Sequence, residues 1–145
     1  MDFTRTKKLI TRHESKEAHA YRDSRNILTI GVGRNIQKGS GPGLRESEID
    51  LMLENDIKEA ITELERFVPA FSGLDDVRQA VLIDMRHNLG LAGFLGFKEM
   101  LKAVTVGDWK LAASEMIRSV WATQVKERAP RLARMMQHGQ WPDHH

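Results

Sequence analysis

The sequence predicts an α+β protein with a small N-terminal β-hairpin and a helical remainder. Residues 18–32 alternate between apolar and polar side chains around a turn-forming segment, which is typical of a hairpin. Residues 46–67 repeat apolar side chains at helical spacing until Pro69. Between Asp75 and His138, apolar residues recur at helical spacing in several segments separated by glycines and by the stretch around Glu127. A chain of 145 residues suffices for one domain, or for two small lobes that share a helix.

The N-terminal elements are predicted to be a helix and a hairpin. Phe3, Ile10 and Glu14 share one face of a helix over residues 3–14, and Asp2 is a suitable N-cap. Two short strands follow at residues 18–23 and 27–32, joined by a turn at 24–26. Strand alternation places Leu28, Ile30 and Val32 on one face, and Ile27, Thr29 and Gly31 on the other.

A connector and a series of helices account for the rest of the chain. Residues 38–43 are rich in Gly and Pro, so we expect a loop there. The helix at 46–67 would span about 33 Å, which is enough to join two lobes. We therefore expect an N-lobe at about 15–45 and a C-lobe at about 70–145 that includes the N-terminal helix. The C-lobe helices are predicted at 75–89, 94–104, 108–123 and 130–138.

Composition excludes several classes of protein. With 41% hydrophobic and 29% charged residues, the chain resembles an ordinary soluble globular protein. No apolar run approaches the roughly 20 residues that span a bilayer, and no apolar segment follows the charged N-terminus as in a secretory signal. The absence of cysteine excludes disulfides and thiolate chemistry. Basic ends surround an acidic middle, which favours an anionic polymer such as nucleic acid or bacterial cell wall.

One pair of carboxylates has the chemistry of a glycosidase. Glycoside hydrolysis needs one carboxyl that is protonated and a second that is ionised across a cleft. Glu14 at a helix end and Asp23 on the hairpin could face each other in this way. The chain has 20 acidic residues, so the spacing of two of them does not establish a site by itself.

A longer string of residues adds specificity. The pattern Glu14-x8-Asp23-x5-Thr29-Ile-Gly-x-Gly resembles the catalytic segment of the phage-type lysozymes, glycoside hydrolase family 24. The resemblance extends over nearly the whole chain, through Asp76-Val-Arg, Gly93-Phe, Ser119-x-Trp-x-x-Gln-x-x-x-Arg-Ala and Gly139-x-Trp. It departs from the family at residues 38–43, where a longer loop is shortened, and at Ser15, where the family usually has Gly.

The resemblance implies a lysozyme-like fold with a substrate cleft between the lobes. It also implies an endolysin-type muramidase that hydrolyses the β-1,4 bond between N-acetylmuramic acid and N-acetylglucosamine with inversion. Glu14 would be the general acid, Asp23 the base or electrostatic stabiliser, and Thr29 the residue that positions water. We expect partial desolvation of Glu14 to keep a proton available near neutral pH.

Further residues match supporting positions of the family. Arg128 corresponds to an arginine that pairs with the catalytic glutamate. Asn88, Trp121 and Gln124 would shape the C-lobe beside the cleft. Arg34 departs from the family at a position where a known member has histidine; there it would place a permanent positive charge at the cleft and favour acidic substituents on the glycan.

Competing interpretations remain open. A lysozyme-like domain without catalysis could bind peptidoglycan or a partner protein, although the intact catalytic set argues against this. Gly31-x-Gly33 is too short for a nucleotide loop and indicates a tight strand end or close substrate approach. His13-Glu14 lacks the second histidine of a zinc motif. We expect a monomer that binds peptidoglycan but not nucleic acid, and that needs no metal or cofactor. We expect no stable membrane insertion. The protein would be made in the cytoplasm and would reach the periplasmic wall through a holin-type lesion or dedicated secretion.

Overall fold

The structure, a computed structural model, describes residues 1–142. It has a three-stranded antiparallel sheet near the N-terminus and a mostly helical remainder, which confirms the predicted α+β class. The chain divides into two compact units, Met1–Met52 and the residues from Leu53 onward. The predicted lobe limits remain predictions, and the last three residues of the predicted C-lobe lie outside the described residues.

The first unit begins with helix α1, Phe3–Glu14, as predicted. The Asp2 side chain caps it, since Oδ1 accepts a 2.9 Å hydrogen bond from the Arg5 N–H. The helix ends at Ser15, which adopts φ 71°, a left-handed conformation that glycine takes more easily. Its N–H still donates to the Thr11 carbonyl at 3.2 Å, so the helix end is preserved without glycine.

The sheet follows in the order β1-β2-β3, all antiparallel. Strand β1 is Glu17–Arg22, β2 is Leu28–Gly31 and β3 is Arg34–Asn35. The first two strands confirm the predicted hairpin. The third strand was not predicted, because a strand of two residues has no alternation to detect.

Helix α2, Glu46–Phe67, confirms the predicted limits of the long helix. The boundary between the two compact units falls within it. At its start Glu48 accepts a 2.8 Å hydrogen bond from the Arg45 N–H, which satisfies one of the free backbone donors of the first turn.

The second unit contains the main hydrophobic core. A 3₁₀ turn at Phe71–Gly73 precedes helices α3 (Asp76–Leu95), α4 (Lys98–Val106), α5 (Trp109–Arg118), α6 (Val120–Gln124) and α7 (Arg128–His138). The largest fully buried side chains are Phe94, Leu64, Leu82, Met85, Met100, Met116 and Met136. None of the described helices combines the length and apolar character needed to cross a membrane.

Two predicted helix limits in this unit are wrong. The helix expected at 108–123 is two helices, because Ser119 has an extended backbone with ψ 157° and its Oγ accepts a hydrogen bond from Ala122 N–H. The helix expected at 94–104 begins only at Lys98. The helix expected at 75–89 is interrupted where predicted, because Gly90 has a non-helical φ of 74° and separates it from the short helical segment that ends at Leu95. The hydrophobic period is continuous across Ser119, so only the capping geometry reveals the break.

Candidate active site

Glu14 is the last residue of α1, and its carboxyl lies against the turn between β2 and β3. A Cβ atom added to Gly33 would be 2.7 Å from Glu14 Oε2 and 3.0 Å from Glu14 Cδ. The Glu14 carboxyl therefore contacts the main chain of this turn directly. The predicted acid therefore lies against the small sheet, whose β2 carries Thr29 and whose β1–β2 turn carries Asp23.

Within its own unit, the side chain of Glu14 has little apolar surrounding. Its side chain is exposed, and no residue of α1 is buried. The apolar residues of the same helix are also open to solvent, with Phe3 67% and Ile10 47% exposed. The apolar residues of α1 therefore do not cover Glu14 within this unit, and its partial desolvation remains a prediction.

Asp23 occupies the turn between β1 and β2. Its Oδ1 accepts hydrogen bonds from the backbone N–H groups of Arg25 at 2.8 Å and Ile27 at 2.9 Å. The Ile27 hydrogen bond lowers the pKa of Asp23, and the Arg25 N–H and guanidinium lower it further against a partial desolvation. Asp23 is therefore held as a carboxylate, and its Oδ1 is hydrogen-bonded to the backbone of the turn.

Thr29 lies in the middle of β2, paired with Tyr21 of β1 and Asn35 of β3. It is only 3% exposed and is the buried polar residue among those described. Its Oγ1 donates to the Ile27 carbonyl at 2.8 Å, and that carbonyl also accepts from the Asp23 N–H at 3.0 Å. Ile27 therefore links Asp23 and Thr29 through its own peptide groups.

Arg34 is the first residue of β3, and its side chain donates hydrogen bonds to residues of the same compact unit. Its Nη1 donates to Glu48 Oε1 at 2.8 Å and to the Gly43 carbonyl at 3.2 Å. The side chain is 28% exposed. A carboxylate therefore already binds the guanidinium that was predicted to face the substrate, and the role of Arg34 toward the glycan remains a prediction.

Of the supporting residues predicted in the second unit, two contact each other and the other two are not part of that contact. Trp121 is 4% exposed, and its Nε1 donates to Asn88 Oδ1 at 2.7 Å. Gln124 is the exposed last residue of α6. Arg128 begins α7, where its Nε lies 3.6 Å from Asp84 Oδ1. The structure thus brings Asn88 and Trp121 together, while the predicted pairing of Arg128 with Glu14 stays a prediction.

Three contributors were not assigned to the site from the sequence. The Gly31-x-Gly33 pattern predicted a tight strand end, but not that Gly33 contacts Glu14. Ile27 forms its hydrogen bonds through its backbone, so the identity of its side chain could not have predicted them. Glu48 is 14 residues from its partner, and a pairing across that separation has no local pattern. Within residues 1–142, no three His, Asp or Glu side chains group as metal ligands would.

Comparisons with known proteins identify the family of this chain. The sequence model of the phage lysozyme family matches residues 11–137. The chain is 24% identical to the "Probable T4-type lysozyme 1" of Dictyostelium discoideum, over 92% of this chain and 94% of that protein. It is 28% identical to part of the "Pre-baseplate central spike protein Gp5" of Enterobacteria phage T4, over 73% of this chain and 19% of that much longer protein. The family match covers most of the chain, including all three residues predicted to be catalytic, and the chain belongs to the phage lysozyme family.

Proposed function

We propose that this protein is a muramidase that cleaves the β-1,4 bond between N-acetylmuramic acid and N-acetylglucosamine in bacterial peptidoglycan. Membership in the phage lysozyme family supports glycoside hydrolysis of peptidoglycan. The observation that carries the finer proposal is the different environment of two carboxyls, one packed against the β2–β3 turn and the other within the β1–β2 turn. Glu14 is exposed at a helix end, whereas backbone donors hold Asp23 as an anion.

Glu14 is assigned the role of general acid. A bound glycan would displace water from its exposed carboxyl, and loss of water favours the neutral acid over the carboxylate. The protonated carboxyl then delivers its proton to the glycosidic oxygen as the bond from that oxygen to the anomeric carbon breaks. In this proposal the substrate supplies the desolvation that α1 does not.

Asp23 is assigned the role of base or electrostatic stabiliser. Its Oδ1 is occupied by two N–H donors, and Oδ2 lies 3.9 Å from Arg25 Nη2, beyond hydrogen-bond distance. In this proposal Oδ2 accepts a proton from water or faces the positive charge that develops on the sugar. Thr29 donates its hydroxyl hydrogen to Ile27, which leaves the oxygen lone pairs to accept a hydrogen bond from that water. Attack by water on the face opposite the leaving group gives inversion.

Substitution of the two carboxyls tests the proposal. Glu14→Gln keeps the side-chain shape without the proton, and Asp23→Asn keeps an Oδ1 that can still accept both N–H groups. We expect each to reduce lysis of purified sacculi by about 10²–10⁴-fold or more, with little change in Tm. Glu17→Gln is the matched control, since Glu17 is another exposed carboxyl of the same unit.

Two outcomes would contradict these assignments. A folded Glu14→Gln protein with near-wild-type lysis would end the assignment of the acid. Wild-type protein that binds sacculi without releasing fragments would indicate a binding domain rather than an enzyme. The stereochemistry is tested separately by NMR of the newly formed reducing end, where inversion of the β bond gives the α-anomer first.

A further inference from the structure

We propose that Gly33 is a positioning residue for the general acid, because the absence of a side chain at this position allows the Glu14 carboxyl to rest against the β2–β3 turn. The catalytic consequence rests on the function proposed above for Glu14. The contact itself does not depend on that function.

The geometry leaves no room for a side chain at residue 33. An added Cβ would lie 2.7 Å from Oε2, 3.0 Å from Cδ and 3.1 Å from Cγ of Glu14. Separations of this size are well inside the usual contact distance between non-bonded heavy atoms. A methyl group at Gly33 and the Glu14 carboxyl therefore cannot occupy their present places together.

Comparison with the neighbouring Gly31 distinguishes the effect of the Glu14 contact from the effect of the backbone conformation. Gly31 is the last residue of β2, and Gly33 lies two residues later in the turn. Both have left-handed backbones, with φ 68° at Gly31 and φ 69° at Gly33. Any L side chain would strain either position. An added Cβ at Gly31 would have no neighbour within 4 Å, so the two positions share the backbone requirement and differ in the contact with Glu14.

The collision would be relieved by movement of the acid rather than of the sheet. Glu14 is exposed, and the atoms closest to the added methyl belong to the end of its flexible side chain. The carboxyl would swing away while the turn keeps its form. Displacement of a reacting group by about 1 Å is sufficient to reduce a rate by about 10²-fold.

The test compares Gly33→Ala with Gly31→Ala. We expect similar falls in Tm, because both variants carry the same backbone strain. With a soluble glycan fragment, kcat should be about 10²-fold lower for Gly33→Ala than for Gly31→Ala, with similar KM. The carbon-13 signal of the Glu14 carboxyl should shift in Gly33→Ala and stay near its wild-type position in Gly31→Ala.

The same experiment distinguishes failure of this inference from failure of the proposed function. Equal loss of kcat in both variants, or an unmoved Glu14 signal in Gly33→Ala, would overturn the positioning role. If Gly33→Ala does not fold, NOEs between Gly33 Hα and Glu14 Hγ in the wild-type protein test the contact, and their absence would overturn it. Wild-type protein without lytic activity would overturn the proposed function, while those NOEs would still support the contact.

Discussion

Arg34 and Glu48 form an ion pair that ties β3 to the first turn of α2, with Nη1 and Oε1 2.8 Å apart. Glu48 also accepts from the Arg45 N–H and lies 3.3 Å from the Arg45 guanidinium. The hydrogen bond from Arg34, followed by that from the Arg45 backbone, lowers the pKa of Glu48 to about 2. The pair closes the loop that leads from the sheet to the long helix.

This ion pair makes stability depend on acidity. A carboxyl whose pKa falls on folding stabilises the native state above its unfolded pKa, and that contribution is lost as the pH falls toward the folded value. We expect the wild-type free energy of unfolding to decrease more steeply than that of Glu48→Gln between about pH 4.5 and pH 2. Parallel urea titrations measure this, with Glu54→Gln on the exposed part of α2 as control. Equal slopes for wild type and Glu48→Gln would contradict the prediction.

Thr29 offers a test of the water-positioning hydroxyl. Thr29→Val keeps the volume of the buried side chain but removes the hydrogen bond to Ile27, whose carbonyl retains the Asp23 N–H. We expect about 1 kcal/mol lower stability and a marked fall in lysis, whereas Thr29→Ser should retain more activity. Chemical unfolding and sacculus lysis on the same samples separate the two effects. Wild-type lysis by Thr29→Val would remove the hydroxyl from the mechanism.

The hydrogen bond between Asn88 and Trp121 should stabilise the second unit. Trp121 is buried and packs edge-to-face on Phe97 at 6.0 Å, so its orientation is well defined. Asn88→Ala removes the 2.7 Å acceptor of the indole N–H, and we expect a loss of about 1 kcal/mol because the exposed site admits water. A double-mutant cycle with Trp121→Phe measures the coupling. A coupling energy near zero would show that the hydrogen bond contributes nothing.

Arg78 should be intolerant of lysine. Its Nε and Nη2 donate to the Met136 and Gln137 carbonyls at 2.7 and 3.0 Å, and its guanidinium lies 4.1 Å from the ring centroid of Trp109. A lysine ammonium is not a planar group with several donors, so it cannot donate to both carbonyls and stack on the Trp109 ring at the same time. We expect Arg78→Lys to lose about 1–3 kcal/mol, measured by thermal and urea unfolding. Arg131→Lys, at an exposed position of α7, should be nearly neutral.

Local signals in the sequence were sufficient for the first elements of the chain. The Asp2 cap and apolar spacing predicted α1, and the uninterrupted period up to Pro69 predicted both ends of α2. Such features depend on residues within one or two helical turns of one another, so a single sequence contains them. Glu14, Asp23 and Thr29 were selected through their spacing and the resemblance to a family, and Glu14 and Thr29 proved to lie where a helix end and a strand were expected.

The tertiary structure alone decided how these residues are held. The contact of Gly33 with Glu14, the bridge from Ile27 to Asp23 and Thr29, and the pairing of Arg34 with Glu48 all depend on backbone direction and on residues that turns bring together. The exposure of Glu14 likewise follows from what covers α1, not from its helical face. Sequence periodicity specifies which side of an element is apolar, whereas the distance between two side chains is determined only when the elements that carry them have packed.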